Sequence, residues 1–142
     1  MIRELSKKYL VELVKLNVSA LKPIEKKIGK TSPVWLKEYF EYTFKEGKVF
    51  GYFLENKLIG CIGYIIGPYG GYAEIQHVLV NPKFRGKGIG KELMIFIEKY
   101  IKKNYPKIKE FRLNVRYKND SVLDFYEKNG YSKRSYLMKK KI

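Results

Sequence analysis

The sequence is poor in cysteine, histidine and long apolar runs. Its 142 residues include one Cys and one His, which cannot form a disulfide framework or a metal site of several such ligands. No apolar stretch reaches membrane-spanning length, and residues 1–6 lack the apolar region of a signal peptide. We therefore expect a cytoplasmic protein in which Cys61 is a small buried hydrophobe.

Acidic residues are also scarce relative to basic ones. The chain has 30 Lys plus Arg against 14 Asp plus Glu, a net charge of +16. Because the lysines are not interleaved with a recognisable nucleic-acid fold motif, a solvated Lys-rich surface like that of thermophile proteins is preferred over a nucleic-acid patch, which stays an alternative. The positive field would attract polyanions and acidic partners and repel cationic polyamines and aminoglycosides.

What the sequence does contain is enough apolar side chain for one core. A hydrophobic content of 45% over this length predicts a single globular domain, residues 1–142. Periodicity predicts a strand, two helices, three successive strands, and then a helix, a strand, a helix and a final strand. The predicted strands are residues 1–5, 48–54, 58–66, 72–80, 110–115 and 131–138, and the predicted helices begin near residues 6, 33, 89 and 121, with residues 22–31 as a loop.

The most distinctive stretch is a glycine-rich turn between a strand and a helix. An apolar run ends at Val80, Asn81-Pro82 follows, and Ile89 begins a long helical pattern. The turn holds three glycines and three basic residues, namely Gly86, Gly88, Gly90, Arg85, Lys87 and Lys91. Uncovered backbone N–H groups at a helix N-terminus bind anions, and the basic side chains add charge around them. The turn therefore predicts a ligand that carries phosphate.

Spacing narrows the choice of phosphate ligand. A Walker A loop ending at Gly90-Lys91 needs glycine at position 85 and Ser or Thr at position 92, where Arg85 and Glu92 stand. A dinucleotide G-x-G-x-x-G read from Gly86 needs glycine where Lys91 stands. Both nucleotide interpretations are weakened, and a glycine-rich helix start in some other α/β domain stays an alternative.

The spacing that fits is [Arg/Gln]-x-x-Gly-x-[Gly/Ala], here Arg85 to Gly90, directly after a strand ending Val-Asn-Pro. This stretch resembles the acetyl-CoA-binding motif of the GNAT superfamily of N-acetyltransferases, whose loop amides hold the CoA pyrophosphate. The resemblance implies acetyl-CoA as cosubstrate and no metal. It implies cofactor contacts from Val78, Leu79, Val80, Arg85, Gly86, Lys87, Gly88, Ile89, Gly90, Lys91, Asn119 and Tyr126.

A second stretch, from Asn119 to Tyr131, is similar to a downstream GNAT segment with aromatic-Tyr-Glu-Lys followed by Gly-aromatic. It departs from the family where Val122 replaces a common alanine and Tyr131 a common phenylalanine. The resemblance implies that Asn119 hydrogen-bonds the pantetheine or phosphate arm of CoA and that Tyr126 lies beside the thioester sulfur. A phenol is still protonated at neutral pH and can donate to a departing thiolate, so Tyr126 is the expected general acid.

The general base is less clearly indicated. Glu74 falls on the strand where the histone-acetylating branch of the family carries a glutamate, and it is the preferred candidate. His77 lies three residues on, where strand alternation predicts that it faces the opposite side, so it is interpreted mainly as a core residue. A water chain is a further alternative, because an α-amine needs less help than a lysine-type amine.

The resemblance also implies an α/β fold: a mixed, mostly antiparallel sheet of six to seven strands, about four flanking helices, and a splayed parallel pair that holds CoA. The oxyanion donor would be a backbone N–H near Leu79, and the first two helices would shape the acceptor pocket. The expected function is direct acetyl transfer from acetyl-CoA to a primary amine, of a protein N-terminus or lysine. Alternatives are a small-molecule amine acetyltransferase and a non-catalytic basic module that binds acyl-CoA or nucleic acid.

Overall fold

A five-stranded sheet with the order β1-β2-β3-β4-β5 forms the middle layer of the computed structural model, which describes residues 1–142. The strands are β1 Ile2–Glu4, β2 Gly47–Leu54, β3 Lys57–Ile66, β4 Tyr72–Val80 and β5 Glu110–Arg112. Neighbouring strands from β1 to β4 are antiparallel, whereas β4 and β5 are parallel. The predicted mixed, mostly antiparallel sheet with one parallel pair is confirmed.

Helices cover both faces of the sheet. They are α1 Leu10–Leu21, α2 Glu25–Ile28, α3 Pro33–Glu46, α4 Ile89–Asn104 and α5 Asp120–Lys128. The Ser32 side chain caps α3 by accepting from the Trp35 N–H, as the Ser-Pro pair predicts. Residues 22–31 are not all loop, because a 3-10 turn at Lys22–Ile24 leads into α2. No helix combines the length and apolar character needed to cross a membrane.

Each face of the sheet has its own apolar cluster. On one face, α4 contributes residues at three- and four-residue spacing, including Leu93, Ile97 and Ile101, which are fully buried against β3 and β4. On the other face, α1 and α3 contribute Leu13, Leu16 and Phe40. Burial of a stripe from each helix is what fixes both layers to the sheet.

The expected count of six to seven strands is too high. Residues 131–138 form no strand, and Tyr131, whose N–H bonds the Tyr126 carbonyl, is the last residue in a backbone hydrogen bond. The edge that β5 offers is only Glu110–Arg112, and the exposed tail beyond Tyr131 is rich in Lys and Arg. A short edge and a tail without an alternating apolar face give little driving force for a sixth strand.

A bulge in β4 changes which side chains face which layer. Gly63 pairs with Gln76 and Cys61 with Leu79, so two residues of β4 stand opposite Ile62 alone. His77, one of the two, has φ of +56°, and both Gln76 and His77 contact Thr43 of α3. The expectation that Glu74 and His77 lie on opposite faces is therefore wrong, because the extra residue breaks the alternation.

Substitutions on α4 test this packing. We expect Ile97→Ala to lower the free energy of unfolding by about 2–5 kcal/mol, because it removes a fully buried side chain and leaves a cavity. Ile95→Ala on the same helix should lower it by less than about 1 kcal/mol, since Ile95 is 44% exposed. Urea unfolding of the two variants measures the difference; equal losses would contradict the packing of α4.

Candidate active site

The site lies where β4 and β5 separate. Their ladder runs from Tyr72 and Glu110 to Glu74 and Arg112 and then stops, so the rest of β4 has no partner on that edge. A cavity of about 690 Å³ occupies the gap. The Asn81 N–H donates to the Ile59 carbonyl of β3, and alternation along an antiparallel strand then turns the N–H group of Val80 toward the open edge.

The glycine-rich loop closes one end of this cavity. Gly86 and Gly88 have φ of +79° and +80°, a region that favours glycine, and Gly88 is the N-cap of α4. At Gly90 a Cβ would meet the Phe125 ring at 3.2 Å, so glycine there allows α4 to approach α5 closely. The first intrahelical bond is from the Glu92 N–H to the Gly88 carbonyl, which leaves the preceding N–H groups free to bind an anion.

The basic residues of the loop make different contacts. Arg85 donates from Nη2 to the Ala20 carbonyl at 2.6 Å, and burial lowers the pKa of its guanidinium. Its side chain therefore ties the loop to the end of α1. Lys91 borders the cavity, whereas the Lys87 ammonium lies over the Phe84 ring at 5.5 Å and outside the cavity lining.

Asn119 lies at the opposite wall, at the N-cap position of α5. Its side chain makes no capping hydrogen bond, and its Oδ1 is buried without a partner. Because a buried polar atom normally has a partner, this one is available to a ligand in the cavity.

Tyr126 also borders the cavity, from the buried face of α5. Its ring packs against Phe125 and Tyr131, with centroid distances of 5.3 Å and 6.0 Å. Burial raises the pKa of the Tyr126 hydroxyl above its usual value, so the phenol stays protonated at neutral pH. A protonated phenol in the cavity can act as a proton donor.

Glu74 stands at the last paired position of β4, at the start of the gap. It borders the cavity, and one carboxylate oxygen accepts from Asn114 Nδ2 at 3.2 Å. Together with burial, its charge raises the pKa of the neighbouring Tyr39 to about 12. The Glu74 carboxylate thus lies between the segment that follows β5, which holds Asn114, and helix α3, which holds Tyr39.

These features agree with the comparisons to known proteins. The model of the Acetyltransferase (GNAT) family matches residues 17–131. The chain belongs to this family. A solved PaiA N-acetyltransferase from Thermoplasma acidophilum, in complex with coenzyme A, is 26% identical over 91% of this chain and 87% of its own, with a TM-score of 0.71.

Two further solved structures are similar to this GNAT chain. PH1933 from Pyrococcus horikoshii OT3 is 26% identical over 97% of this chain and 93% of its own, with a TM-score of 0.77. A possible acetyltransferase from Clostridium difficile 630 is 24% identical over 100% and 96%, with a TM-score of 0.78. GNAT acetyltransferases use acetyl-CoA, and the free loop amides, the open strand edge and the unpartnered Asn119 fit such a ligand.

His77 lines this cavity from the bulge. Its ring stacks on Phe40 at 4.0 Å and lies 2.8 Å from the Thr43 hydroxyl through Nε2. That hydroxyl has one proton and faces two other acceptors, Gln76 Oε1 at 2.6 Å and the Tyr39 carbonyl at 3.1 Å, so we assign the imidazole proton to Nε2, which leaves Nδ1 as an acceptor without a partner. Burial lowers the pKa of His77 to about 3, so the ring is neutral at physiological pH.

Sequence reasoning missed many residues of the cavity lining, among them one buried polar and two aromatic side chains. Trp35 and Tyr39 line it from α3, and Asn17 lines it from α1 with its Oδ1 buried and unpartnered. The signal for Asn17 was present, because it is a polar residue within the apolar stripe of a helix. Trp35 and Tyr39 gave no such signal, since aromatic residues at helical spacing usually form core.

The depressed pKa of His77 predicts an acid-sensitive fold. The unfolded chain binds the His77 proton near pH 6.5, whereas the folded chain binds it only near pH 3, so this contribution to stability is present above pH 6.5 and is lost as pH falls. Relative to His77→Asn, which tolerates positive φ and does not titrate, wild type should lose about 2 kcal/mol between pH 6.5 and about pH 4.5. Urea unfolding across this range measures the loss; parallel curves would contradict a buried neutral His77.

Proposed function

We propose that this protein transfers acetyl directly from acetyl-CoA to a primary amine of a protein, within a ternary complex. The observation that carries the proposal is a single cavity bordered by the anion-binding loop at one end and by Glu74 at the other. Donor and acceptor can therefore meet without a covalent enzyme intermediate. In support of direct transfer, the one thiol, Cys61, is fully buried and outside the cavity lining.

The cofactor contacts follow from the geometry of the gap. The N–H groups at the start of α4, within residues 86–91, would hold the pyrophosphate, assisted by Lys91. Asn119 Oδ1 would accept a hydrogen bond from the CoA arm. The open edge of β4 would pair with the pantetheine amides as a strand does, and the Val80 N–H, beside Leu79, would donate to the thioester oxygen.

Tyr126 is proposed as the general acid. In acetyl-CoA the acetyl group is bound to a thiol, a leaving group with a pKa of ~8.5. Tyr126 would donate its phenolic proton to the sulfur as the carbon–sulfur bond breaks. The raised pKa of Tyr126 keeps that proton in place until the sulfur becomes negatively charged.

Glu74 is proposed as the general base. A lysine-type amine arrives protonated, and Glu74 would accept its proton directly or through water before nitrogen attacks the acetyl carbon. His77 is a poorer candidate for this role, because its Nε2 is engaged by Thr43 and its lone pair on Nδ1 is buried. Glu74, by contrast, is only partly buried.

A protein acceptor is supported by charge. The chain carries a net charge of +16, which would repel free polyamines and aminoglycosides and attract an acidic protein surface. Only one carboxylate, that of Glu74, borders the cavity, so the site has no second negative charge for the further positive charges of a polycation.

Calorimetry and a thiol-release assay test the proposal together. We expect acetyl-CoA and CoA to bind, and CoA to be released with a peptide that bears a free amine. Gly88→Ala should weaken CoA binding about tenfold or more, because φ of +80° strains an alanine where the loop must hold its shape. Gly70→Ala is the matched control, since Gly70 also has a positive φ and open space but lies in the β3–β4 turn. Absence of CoA binding to wild type would reject the proposal.

Replacement of Tyr126 by phenylalanine tests its proposed role as general acid. We expect Tyr126→Phe to lower kcat by about 10²-fold or more while CoA affinity changes little, because only the proton donor is removed. Tyr131→Phe is the control, as its hydroxyl bonds Glu98 on α4 and has no part in the proposed chemistry. Comparable losses of turnover and CoA binding in Tyr126→Phe would instead assign this residue to binding alone.

A further inference from the structure

The half of the cavity between Glu74 and α3, where the proposed function places the acceptor amine, has an aromatic wall on α3. Trp35 and Tyr39, one helical turn apart, have ring centroids 5.1 Å apart, and Tyr39 lies 4.2 Å from the His77 ring. Trp35 is 49% exposed and lies at the outer end of this wall, whereas His77 is 7% exposed and lies at its inner end. The wall therefore leads from solvent to the bulge of β4.

Negative charge in this half of the cavity comes from one carboxylate. Glu74 is the sole acidic residue of the lining, and the basic lining residues lie toward the CoA loop or hold the chain in place. Arg116, for example, donates to the Ile28 carbonyl at 3.2 Å and to the Thr31 hydroxyl at 2.9 Å. The aromatic wall thus faces a single negative charge.

The aromatic faces and the carboxylate together favour a cation that donates hydrogen bonds. A primary ammonium has three donors and one positive charge.

We propose that this site selects a primary ammonium with a single positive charge at the end of an apolar stem, and that Trp35 and Tyr39 are the residues that select it. The inference rests on the proposed function and names its acceptor more closely. The ammonium lies near Glu74 and Tyr39, and the stem lies along the wall toward Trp35. A lysine side chain and a free alkylamine share this chemistry.

The arrangement also defines what it rejects. A polyamine would place its second charge along an aromatic and apolar wall with no second carboxylate to receive it. An α-amine on a small first residue has no stem to cover Trp35. Methylamine has the charge without the stem, and 1-pentanol has the stem without the charge.

Trp35 is the only tryptophan, so its fluorescence reports on this wall directly. The test is a fluorescence titration of the protein with n-pentylamine, methylamine, 1-pentanol and spermidine, with and without saturating CoA. We expect n-pentylamine to change the fluorescence and to bind about tenfold more tightly than each of the other three. Equal or tighter binding of spermidine, methylamine or 1-pentanol, or no response to n-pentylamine in either state, would overturn the inference.

Glu74 supplies the negative charge that favours an ammonium over a neutral group in this selection. Glu74→Gln should bring the affinities for n-pentylamine and 1-pentanol to within about threefold of each other, because the ion pair is lost. Glu38→Gln is the control, since Glu38 is an exposed residue of α3 outside the cavity lining. Unchanged preference for the amine in Glu74→Gln would overturn the role given to this carboxylate.

Steady-state kinetics then separate lysine from other amines. The panel holds a blocked peptide with one lysine, the same peptide with ornithine, a free-N-terminus glycine peptide without lysine, and n-pentylamine. Trp35→Ala should raise KM for the lysine peptide or n-pentylamine about tenfold with kcat within about threefold, and Trp35→Phe should restore it. Tyr42→Ala is the matched control on α3, because Tyr42 is also 49% exposed but lies outside the cavity lining.

The outcomes distinguish this inference from the proposed function. Turnover on the glycine peptide with a KM that Trp35→Ala does not change would overturn the inference and leave the acetyltransferase proposal in place. Turnover on n-pentylamine but not on the lysine peptide would support the stem and charge selection and assign a small amine as its source. Failure to bind CoA would reject the acetyltransferase proposal, and the titration without CoA would still decide the selectivity.

Discussion

The bulge in β4 is the constraint on which the cavity depends. One extra residue at His77 lets Gln76 and His77 both turn toward α3, and stacking on Phe40 together with the bond to Thr43 holds the His77 side chain in place despite its positive φ. Bulges bend a strand and increase its twist, and this one begins just beyond the last residue of β4 that pairs with β5. The separation of the two strands, and hence the gap for a ligand, follows from it.

Two arginines of the cavity lining tie its walls to neighbouring segments of the chain. Arg85 ties the glycine-rich loop to the carbonyl of Ala20 on α1, and Arg116 ties the segment after β5 to residues 28 and 31 before α3. Each guanidinium donates to protein oxygens and so is partly withheld from phosphate. The positive charge expected around the anion comes instead from Lys91 and from the N-terminus of α4.

The parts of the fold that could be predicted from sequence are those specified by local chemistry. The cap at Ser32, the stop at Gly130 with φ of +92°, and the loop from Arg85 to Gly90 each depend on a few adjacent residues. The burial of Tyr126 and Asn119 beside the loop follows the family pattern, although their roles stay predictions. The prediction that failed, the side of β4 that His77 faces, depends on the pairing of β4 with β3. Nothing near His77 in the sequence indicates that β4 gains a residue against β3, and that one residue reverses the predicted side of His77.

The unpartnered polar atoms show why such a site is conditional on its ligands. Three buried side-chain atoms lack a hydrogen bond, namely Asn17 Oδ1, His77 Nδ1 and Asn119 Oδ1, and all three belong to residues that line the cavity between β4 and β5. Leaving a buried acceptor without a donor costs about 1–3 kcal/mol, so three of them are a large fraction of the stability of a domain this size. A core designed for stability alone would carry apolar residues there. Because Asn119 belongs to the wall of the gap, a donor group from a CoA arm would relieve part of this energy, so that the cofactor stabilises the fold that binds it.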